Sequence, residues 1–333
     1  MGGRSCGRIR GWPLRGGGLV IKPFCTTIIP TVGRDSLARA VESVLAQALS
    51  AAAFEIVVVN DSGRPLPPAN WQRVPCVRVL HTRQRERSVA RNTGAAVAHG
   101  RYLHFLDDDD WLLPGALARF WQAAQTQTAV WLYSGFRFVA GDGRILEENP
   151  VDESGNVLAR LLAGEWLPLQ ASLICSDAFF AAGGFDPGLS MFEDNDLARQ
   201  IGLRGEMQAI PGLAAAIARD EAATTSDYSL LQTAHYQSRE KLLNQPGAFA
   251  RLRASAAARP VRPAYWQGRI TSAYVNSSLQ NGRRGRWLRA AGRLLNGLGN
   301  VPLAGRGALT ADFWRGALRP HHTNGFFRQD GAA

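Results

Sequence analysis

The sequence predicts an α/β domain with a mostly parallel central sheet flanked by helices, followed by a helical C-terminal extension. Three observations predict it. Short apolar runs rich in β-branched residues alternate with amphipathic stretches between residues 25 and 139, the pattern of strand–helix–strand units. The polar clusters Pro30-Thr31, Asn60-Asp61 and Asp107–Asp110 each follow such a run, at the carboxyl ends of strands, where open parallel sheets bind ligands. Beyond about residue 228 the strand pattern stops and helical periodicity takes over.

Each element has its own signal. Residues 25–30 (Cys-Thr-Thr-Ile-Ile-Pro) and 54–60 (Phe-Glu-Ile-Val-Val-Val-Asn) are apolar enough to be buried on both faces. Between them Leu37, Ala40, Val41, Val44, Leu45 and Leu49 recur at helical spacing, and Asp35 or Ser36 can cap that helix. Residues 76–81 form a third strand. A helix over 88–99 ends at Gly100 as the residue past its C-terminus. Residues 102–106 form a fourth strand that runs into four aspartates. A helix over 113–125 and a strand over 129–139 follow, and Gly141-Asp142-Gly143 is a hairpin turn signal. Residues 169–175 are a further apolar run, and 192–202 read as a helix. In the C-terminal part, 228–243, 262–279 and 287–298 are helical; the last carries Leu288, Ala291, Leu294 and Leu295 on one face.

Composition limits what such a chain does. It has 333 residues, is 46% hydrophobic, and carries a formal net charge of +11, so it holds ample material for a core and is neither disordered nor collagen-like. Of its 38 basic residues only Lys22 and Lys241 are lysines. The charge is uneven: 1–22 carries five basic and no acidic groups, 23–220 is net −5, and 221–333 is net +11. A nucleic-acid-binding domain needs its basic residues interleaved with aromatics on the folded part; here that part is mildly acidic. Cys6, Cys25, Cys76 and Cys175 are far apart, so free thiols of a reducing compartment are expected rather than disulfides or a zinc site. No run is long and apolar enough to span a membrane. The first residues lack the apolar core of a signal peptide and read as a flexible tail or an upstream extension. The expected organisation is a basic tail over 1–23, a catalytic domain over 24–225 and an Arg-rich helical region over 226–333.

The chemistry-bearing clusters each admit two readings. Four adjacent aspartates repel one another; a hard divalent cation such as Mg²⁺ or Mn²⁺ relieves this, or they form a solvated turn that caps the next helix. Asp61 can accept the imide N–H of a base such as uracil, or make a turn. Arg87 and Arg91 share a helix face and can reach an anion near that helix's N-terminus, or pair with Glu86. Glu193 and Asp194 can supply a general base, or cap the helix they begin. No Ser/His/Asp elbow, GxGxxG or GxxxxGK[ST] loop is present.

Taken together and in order, these segments resemble the inverting glycosyltransferases of family 2, of the GT-A fold. The resemblance runs through Thr27-Ile-Ile-Pro-Thr31, Val57-Val-Val-Asn-Asp-Ser-Gly63, Ser88-Val-Ala-Arg-Asn-Thr-Gly94, 98–111 with its aspartate run, Gly183-Gly-Phe-Asp186 and Glu193-Asp-Asn-Asp-Leu197. It implies a transferase that moves a sugar from a nucleotide-sugar, a UDP-sugar if Asp61 reads uracil, to an acceptor hydroxyl. Pro30, Thr31 and Asp61 would line the nucleobase pocket, and Arg91 would hold the base or diphosphate. Asp107 and Asp108 would contact the nucleotide-sugar, Asp109 with Asp107 would ligate Mg²⁺ or Mn²⁺, and Asp194 would be the catalytic base with Glu193 as second choice.

The sequence departs from the family at three places. Val32-Gly33 stands where Tyr-Asn is usual, no histidine lies near Arg219-Asp220 to complete a metal shell, leaving Asp220 or water, and the Gln-x-x-Arg-Trp motif of processive members is absent. A single addition in cell-surface polysaccharide or glycoconjugate assembly is therefore expected, on a glycan or lipid-linked acceptor. A cytoplasmic enzyme is expected, with the C-terminal arginines able to touch an anionic membrane at its inner face and no nucleic acid as partner. A nucleotidyltransferase with a similar metal-dependent site is the alternative, and a basic nucleic-acid-binding protein a more remote one.

Overall fold

The computed structural model describes residues 12–13, 19–20, 22–50, 53–83, 86–151, 153–219, 228–257 and 263–318. The chain forms two compact units: 1–152, 167–188 and 204–224 in the first, and 153–166, 189–203 and 225–333 in the second. Two stretches inside the expected 24–225 domain thus belong with the C-terminal helices. The expected basic tail lies largely outside the described residues; Trp12–Pro13 and Leu19–Val20 pair antiparallel.

The first unit is built on a nine-stranded sheet. Its strands are β1 (Cys25–Thr31), β2 (Phe54–Asn60), β3 (Val77–His81), β4 (Tyr102–Phe105), β5 (Trp111–Leu112), β6 (Trp131–Val139), β7 (Ile145–Asn149), β8 (Ser172–Cys175) and β9 (Met207–Ala218). Their order is β3-β2-β1-β4-β8-β6-β9-β5, with β7 on the side of β6. Strands β3, β2, β1 and β4 are parallel, and β9 is parallel to β6. Strands β8, β5 and β7 join antiparallel, so the parallel part expected from sequence is one half of a mixed sheet. Chain order reverses direction at β1, between β2 and β4, which places the ligand-binding crevice of such a sheet at the ends of those strands.

The helices of this unit are α1 (Leu37–Leu45), α2 (Arg87–Ala96), α3 (Ala116–Thr126) and α5 (Ser176–Ala182). Helix α1 stops four residues before the expected Leu49, and neither Asp35 nor Ser36 supplies a side-chain cap. Past its end Gln47 is buried, donating to the Leu113 carbonyl and accepting from the Leu117 N–H; tertiary hydrogen bonds take over from helical ones. Helix α2 ends at Ala96, not at Gly100. Gly100 serves close approach instead: a Cβ there would lie 2.4 Å from the Thr26 amide nitrogen. Gly94 does the same for α2 on β1, where a Cβ would lie 2.5 Å from Ile28. Helix α3 begins three residues late because Trp111–Leu112 is taken into the sheet.

The second unit is helical, with α4 (Leu158–Leu162), α6 (Glu193–Gly202), α7 (Tyr228–Leu243), α8 (Ala248–Ala257), α9 (Pro263–Arg283), α10 (Trp287–Asn300) and α11 (Ala311–Leu318). Leu158, Leu162, Leu242, Leu252, Ile270 and Tyr274 centre its core. Three buried arginines converge on the C-terminal end of α4. Arg199 donates to the Leu161 carbonyl at 3.0 Å, Arg239 to that of Leu162 at 3.0 Å, and Arg269 to that of Ala163 at 2.8 Å. Cations suit the negative end of a helix dipole, and the bonds satisfy carbonyls that have no partner within the helix. Among the described residues no helix is long and apolar enough to cross a membrane.

Candidate active site

The ends of β1, β2 and β4 bring most of the sequence-predicted residues to one rim of the first unit. Pro30 and Thr31 close β1. The Thr31 hydroxyl donates to Asp108 Oδ2 at 2.6 Å and accepts the Gly33 N–H at 2.9 Å. Asp61 follows β2 and is buried; its Oδ1 accepts from the Thr82 hydroxyl at 2.6 Å and its Oδ2 from the Glu86 N–H at 2.7 Å.

Helix α2 starts with Glu86, whose carboxylate accepts from the Ser88 and Val89 N–H groups. Glu86 is thus an N-cap and not the ion-pair partner considered for the arginines. Arg91 is 3% exposed; it donates to Asp107 Oδ1 at 2.6 Å and lies over the Phe185 ring at 5.2 Å. Its guanidinium is thus paired with Asp107. Phe185 is fixed in turn by reciprocal bonds with Asn92, at 2.8 and 3.0 Å.

The four aspartates have four different environments. Burial pushes the Asp107 carboxyl up, but Arg91, Arg87 and the Gln170 amide outweigh it and hold it below its usual range. Asp108 is buried against Thr31 and Arg34. Asp109 is the exposed one, bridged by Arg34 at 3.0 Å; burial, Asp107 and Asp108 raise its carboxyl despite that arginine. Asp110 is buried and accepts the Ala218 N–H at 2.7 Å, and burial with Asp107 and Asp109 lifts it well above the ordinary range.

This donor set suits a hard divalent cation. It is oxygen only, and the like-charge crowding that raises Asp109 is what a cation relieves. Among the described residues no group of three His, Cys, Asp or Glu side chains gathers in metal-binding geometry, so two carboxylates would leave positions for substrate oxygens and water. Asp220, the residue considered in place of a histidine, lies outside the described residues.

Glu193 and Asp194 belong to the second unit. They open α6 directly after Phe192, the only non-glycine residue with positive φ among those described, at +61°. Its ring packs on His235 with centroids 3.8 Å apart, which holds the unfavourable backbone in place. Glu193 is buried. Asp194 Oδ2 accepts the indole N–H of Trp166 at 2.5 Å, and its Oδ1 accepts the Asn195 N–H at 2.7 Å.

Sequence reasoning missed three contributors. Arg34, three residues past Thr31, bridges Asp108 and Asp109; its position just beyond a strand end is a legible signal. Gln170 and Trp166 have none, because each lies far in sequence from its aspartate, 63 and 28 residues away.

Comparison with known proteins bears on this site. A family model described as "Glycosyl transferase family 2" matches residues 26–161. The succinoglycan biosynthesis protein ExoO of Rhizobium meliloti (strain 1021) is 36% identical over 115 residues, 34% of this chain and 32% of that protein. The poly(ribitol-phosphate) β-N-acetylglucosaminyltransferase TarP of Staphylococcus aureus (strain N315) is 29% identical over 138 residues, covering 40% and 42%. The chain thus spans about a third of the length of the curated relatives it matches. Among solved structures, residues 1–349 of S. aureus TarS in complex with UDP-GlcNAc superpose with a TM-score of 0.54 at 14% identity, over 88% of this chain and 89% of that one. Fold, motif order and the family match agree: residues 26–161 are similar to the family 2 glycosyltransferases, and the fold is similar to that of TarS.

Proposed function

We propose that this protein transfers a single sugar from a UDP-sugar to an acceptor hydroxyl with inversion, in the assembly of a cell-surface polysaccharide or glycoconjugate. The observation that carries the reading is the convergence of Thr31, Asp61 and Asp107–Asp109 at the ends of adjacent parallel strands. The names of ExoO and TarP, and the UDP-GlcNAc bound to TarS, support the donor and product classes.

In this reading Pro30, Thr31 and Asp61 hold the nucleobase. Arg91 fixes Asp107 toward the nucleotide-sugar, and Asp108 ties that strand end to Thr31. Asp109 and Asp107 would hold Mg²⁺ or Mn²⁺, which when bound neutralises the leaving diphosphate. Asp194, oriented by Trp166, takes the proton of the acceptor hydroxyl as its oxygen attacks the anomeric carbon and the nucleoside diphosphate leaves. Glu193 is the second choice for that role. A lipid-linked or glycan acceptor belongs to the same reading, with the protein held at the inner, anionic face of a membrane.

The test is release of free nucleoside diphosphate from a panel of UDP-, GDP- and dTDP-sugars with Mn²⁺ and with glycan or lipid-linked acceptors. Release from a UDP-sugar that Asp194→Asn abolishes is expected. No release with any donor, or equal release by that variant, overturns the reading.

A further inference from the structure

Helix α10 is folded with its apolar side outward. Its inward positions are Ala290, Arg293, Gly297 and Asn300, all buried. The outward positions hold Trp287, Leu288, Leu294, Leu295 and Leu298, of which Leu288 is 92% exposed, Trp287 72% and Leu295 69%. At 100° per residue these five side chains lie within one arc about 120° wide, a single stripe along the helix.

The inward face is fixed by contacts that forbid rotating the leucines inside. Ser278 on α9 donates to the Ala290 carbonyl at 2.7 Å, and Arg293 donates to Asn244 at 2.9 Å. Asn300 donates to the Gln267 carbonyl at 3.0 Å. A Cβ at Gly297 would come within 3.1 Å of the Tyr274 Cβ. A stripe of five large exposed side chains reaches the size, about 300–600 Å², at which an apolar patch on a monomer marks an interaction site.

Its charge selects the partner. Arg283, Arg284, Arg286 and Arg289 are all exposed around the first turn of α10, and Asp312 is the only acidic residue between 283 and 318. Arg283 and Arg284 stand at the C-terminal end of α9, which suits that helix's dipole, and Arg284 also lies over the Tyr236 ring. Arg286 and Arg289 stand at the N-terminus of α10, where cations oppose the dipole, so local helix stability does not account for those two; an external anionic surface does. A second copy packed with its α10 parallel to this one would set the same arginines against each other. Tryptophan and leucines along one side of a helix, with exposed arginines clustered at its N-terminal end, match the interface of an anionic bilayer.

The geometry points to α10 as a membrane-docking helix. It lies in the plane of an anionic leaflet, with Trp287, Leu288, Leu294, Leu295 and Leu298 in the acyl boundary and the arginines among the headgroups. This gives a surface to the membrane placement proposed above, on which it rests; it does not depend on the transferase chemistry.

The experiment is co-sedimentation of the full chain with vesicles of phosphatidylcholine alone, or with about one-third phosphatidylglycerol. Binding to the anionic vesicles should exceed binding to the neutral ones by about tenfold or more, and fall with added salt. The combined variant Leu288→Gln, Leu295→Gln, Leu298→Gln should lose about tenfold or more of that binding while keeping the native circular dichroism and melting temperature. Arg286→Gln with Arg289→Gln should lose about fivefold per arginine, chiefly at low salt. Equal binding by the leucine variant overturns the inference, as does a parent chain that ignores anionic vesicles. A parent chain that self-associates where the leucine variant is monomeric assigns the stripe to a second copy and also overturns it. Nucleotide release with a water-soluble acceptor is measured in parallel; it should be unchanged in the leucine variant, which separates failure of the docking surface from failure of the transferase reading.

Discussion

The indole N–H of Trp166 donates to Asp194 Oδ2 at 2.5 Å, joining two residues 28 apart in sequence. The bond fixes one carboxylate oxygen, while the backbone of Asn195 holds the other. Trp166→Phe keeps the ring and removes the donor. It should lower kcat about three- to tenfold with the donor KM unchanged, since an aimed proton acceptor is worth about 10²–10⁴ in rate and misaiming forfeits part of that. Asp194→Asn should lose about 10² or more in kcat. Steady-state kinetics on both variants check this.

Arg91 and Asp107 form the second such pair. Arg91→Met strips the charge-assisted bond from a carboxylate that is still one-third exposed. The cost should be about 1–3 kcal/mol in a urea melt, with a rise in donor KM larger than any fall in kcat. Arg91→Lys should recover only part of it, because a point charge reproduces neither the planar fork of donors nor the guanidinium's position over Phe185.

His104 gives the fold a pH limit. It is fully buried between the Thr27 hydroxyl, 3.0 Å from Nδ1, and the Gln170 carbonyl, 2.9 Å from Nε2. The carbonyl only accepts, so Nε2 carries the proton and Nδ1 accepts from Thr27. Burial lowers its pKa to about 4 even though the bond to Gln170 pulls the other way. A depressed folded-state value means the stabilisation is complete above the unfolded value near 6.5 and is lost as pH falls from there through about 4. The loss amounts to roughly 3 kcal/mol. Urea midpoints at neutral and mildly acidic pH should diverge for the parent chain and converge for His104→Asn.

Arg199 is fully buried, bonded to the Leu161 carbonyl and, at 2.6 Å, to the Ser238 hydroxyl. Arg199→Met fills the space but leaves both acceptors unpaired. It should destabilise the helical unit by about 2–4 kcal/mol, read as a lower melting temperature by calorimetry.

Cys25 is fully buried in β1, and burial pushes its thiol up to about 12. Iodoacetamide should leave it unmodified in the native protein and label it in urea, as peptide mass mapping will report.

The strand ends were legible because both faces of β1 and β2 are covered, which forces continuous apolar runs that stop where polar residues begin. That is why the sequence alone places Thr31, Asp61 and Asp107 at strand ends. Helices α8 and α11 were not legible: residues 248–257 and 311–318 mix alanine, arginine and aromatics without a clear apolar face. Helix α10 was legible as an amphipathic helix, but its orientation was not. Periodicity identifies an apolar face without saying whether protein or something else covers it. Trp166, Gln170 and the arginines beneath α4 make bonds to residues far away in sequence, and single-sequence spacing carries no trace of those.

The three arginines beneath α4 also bear on the chain's near-total lack of lysine. Burial lowers Arg199 to about 10, although Asp196 and Asp194 oppose it, and lowers Arg239 well below its ordinary value. A lysine starts lower, so the same burial would bring it closer to neutrality and weaken the charge-assisted bond to the carbonyl. A guanidinium starts high enough to keep its charge. Recoding the gene from arginine to lysine would be harmless over much of the surface, but at 199 and 239 it would turn a permanently charged fastening into one whose strength depends on pH.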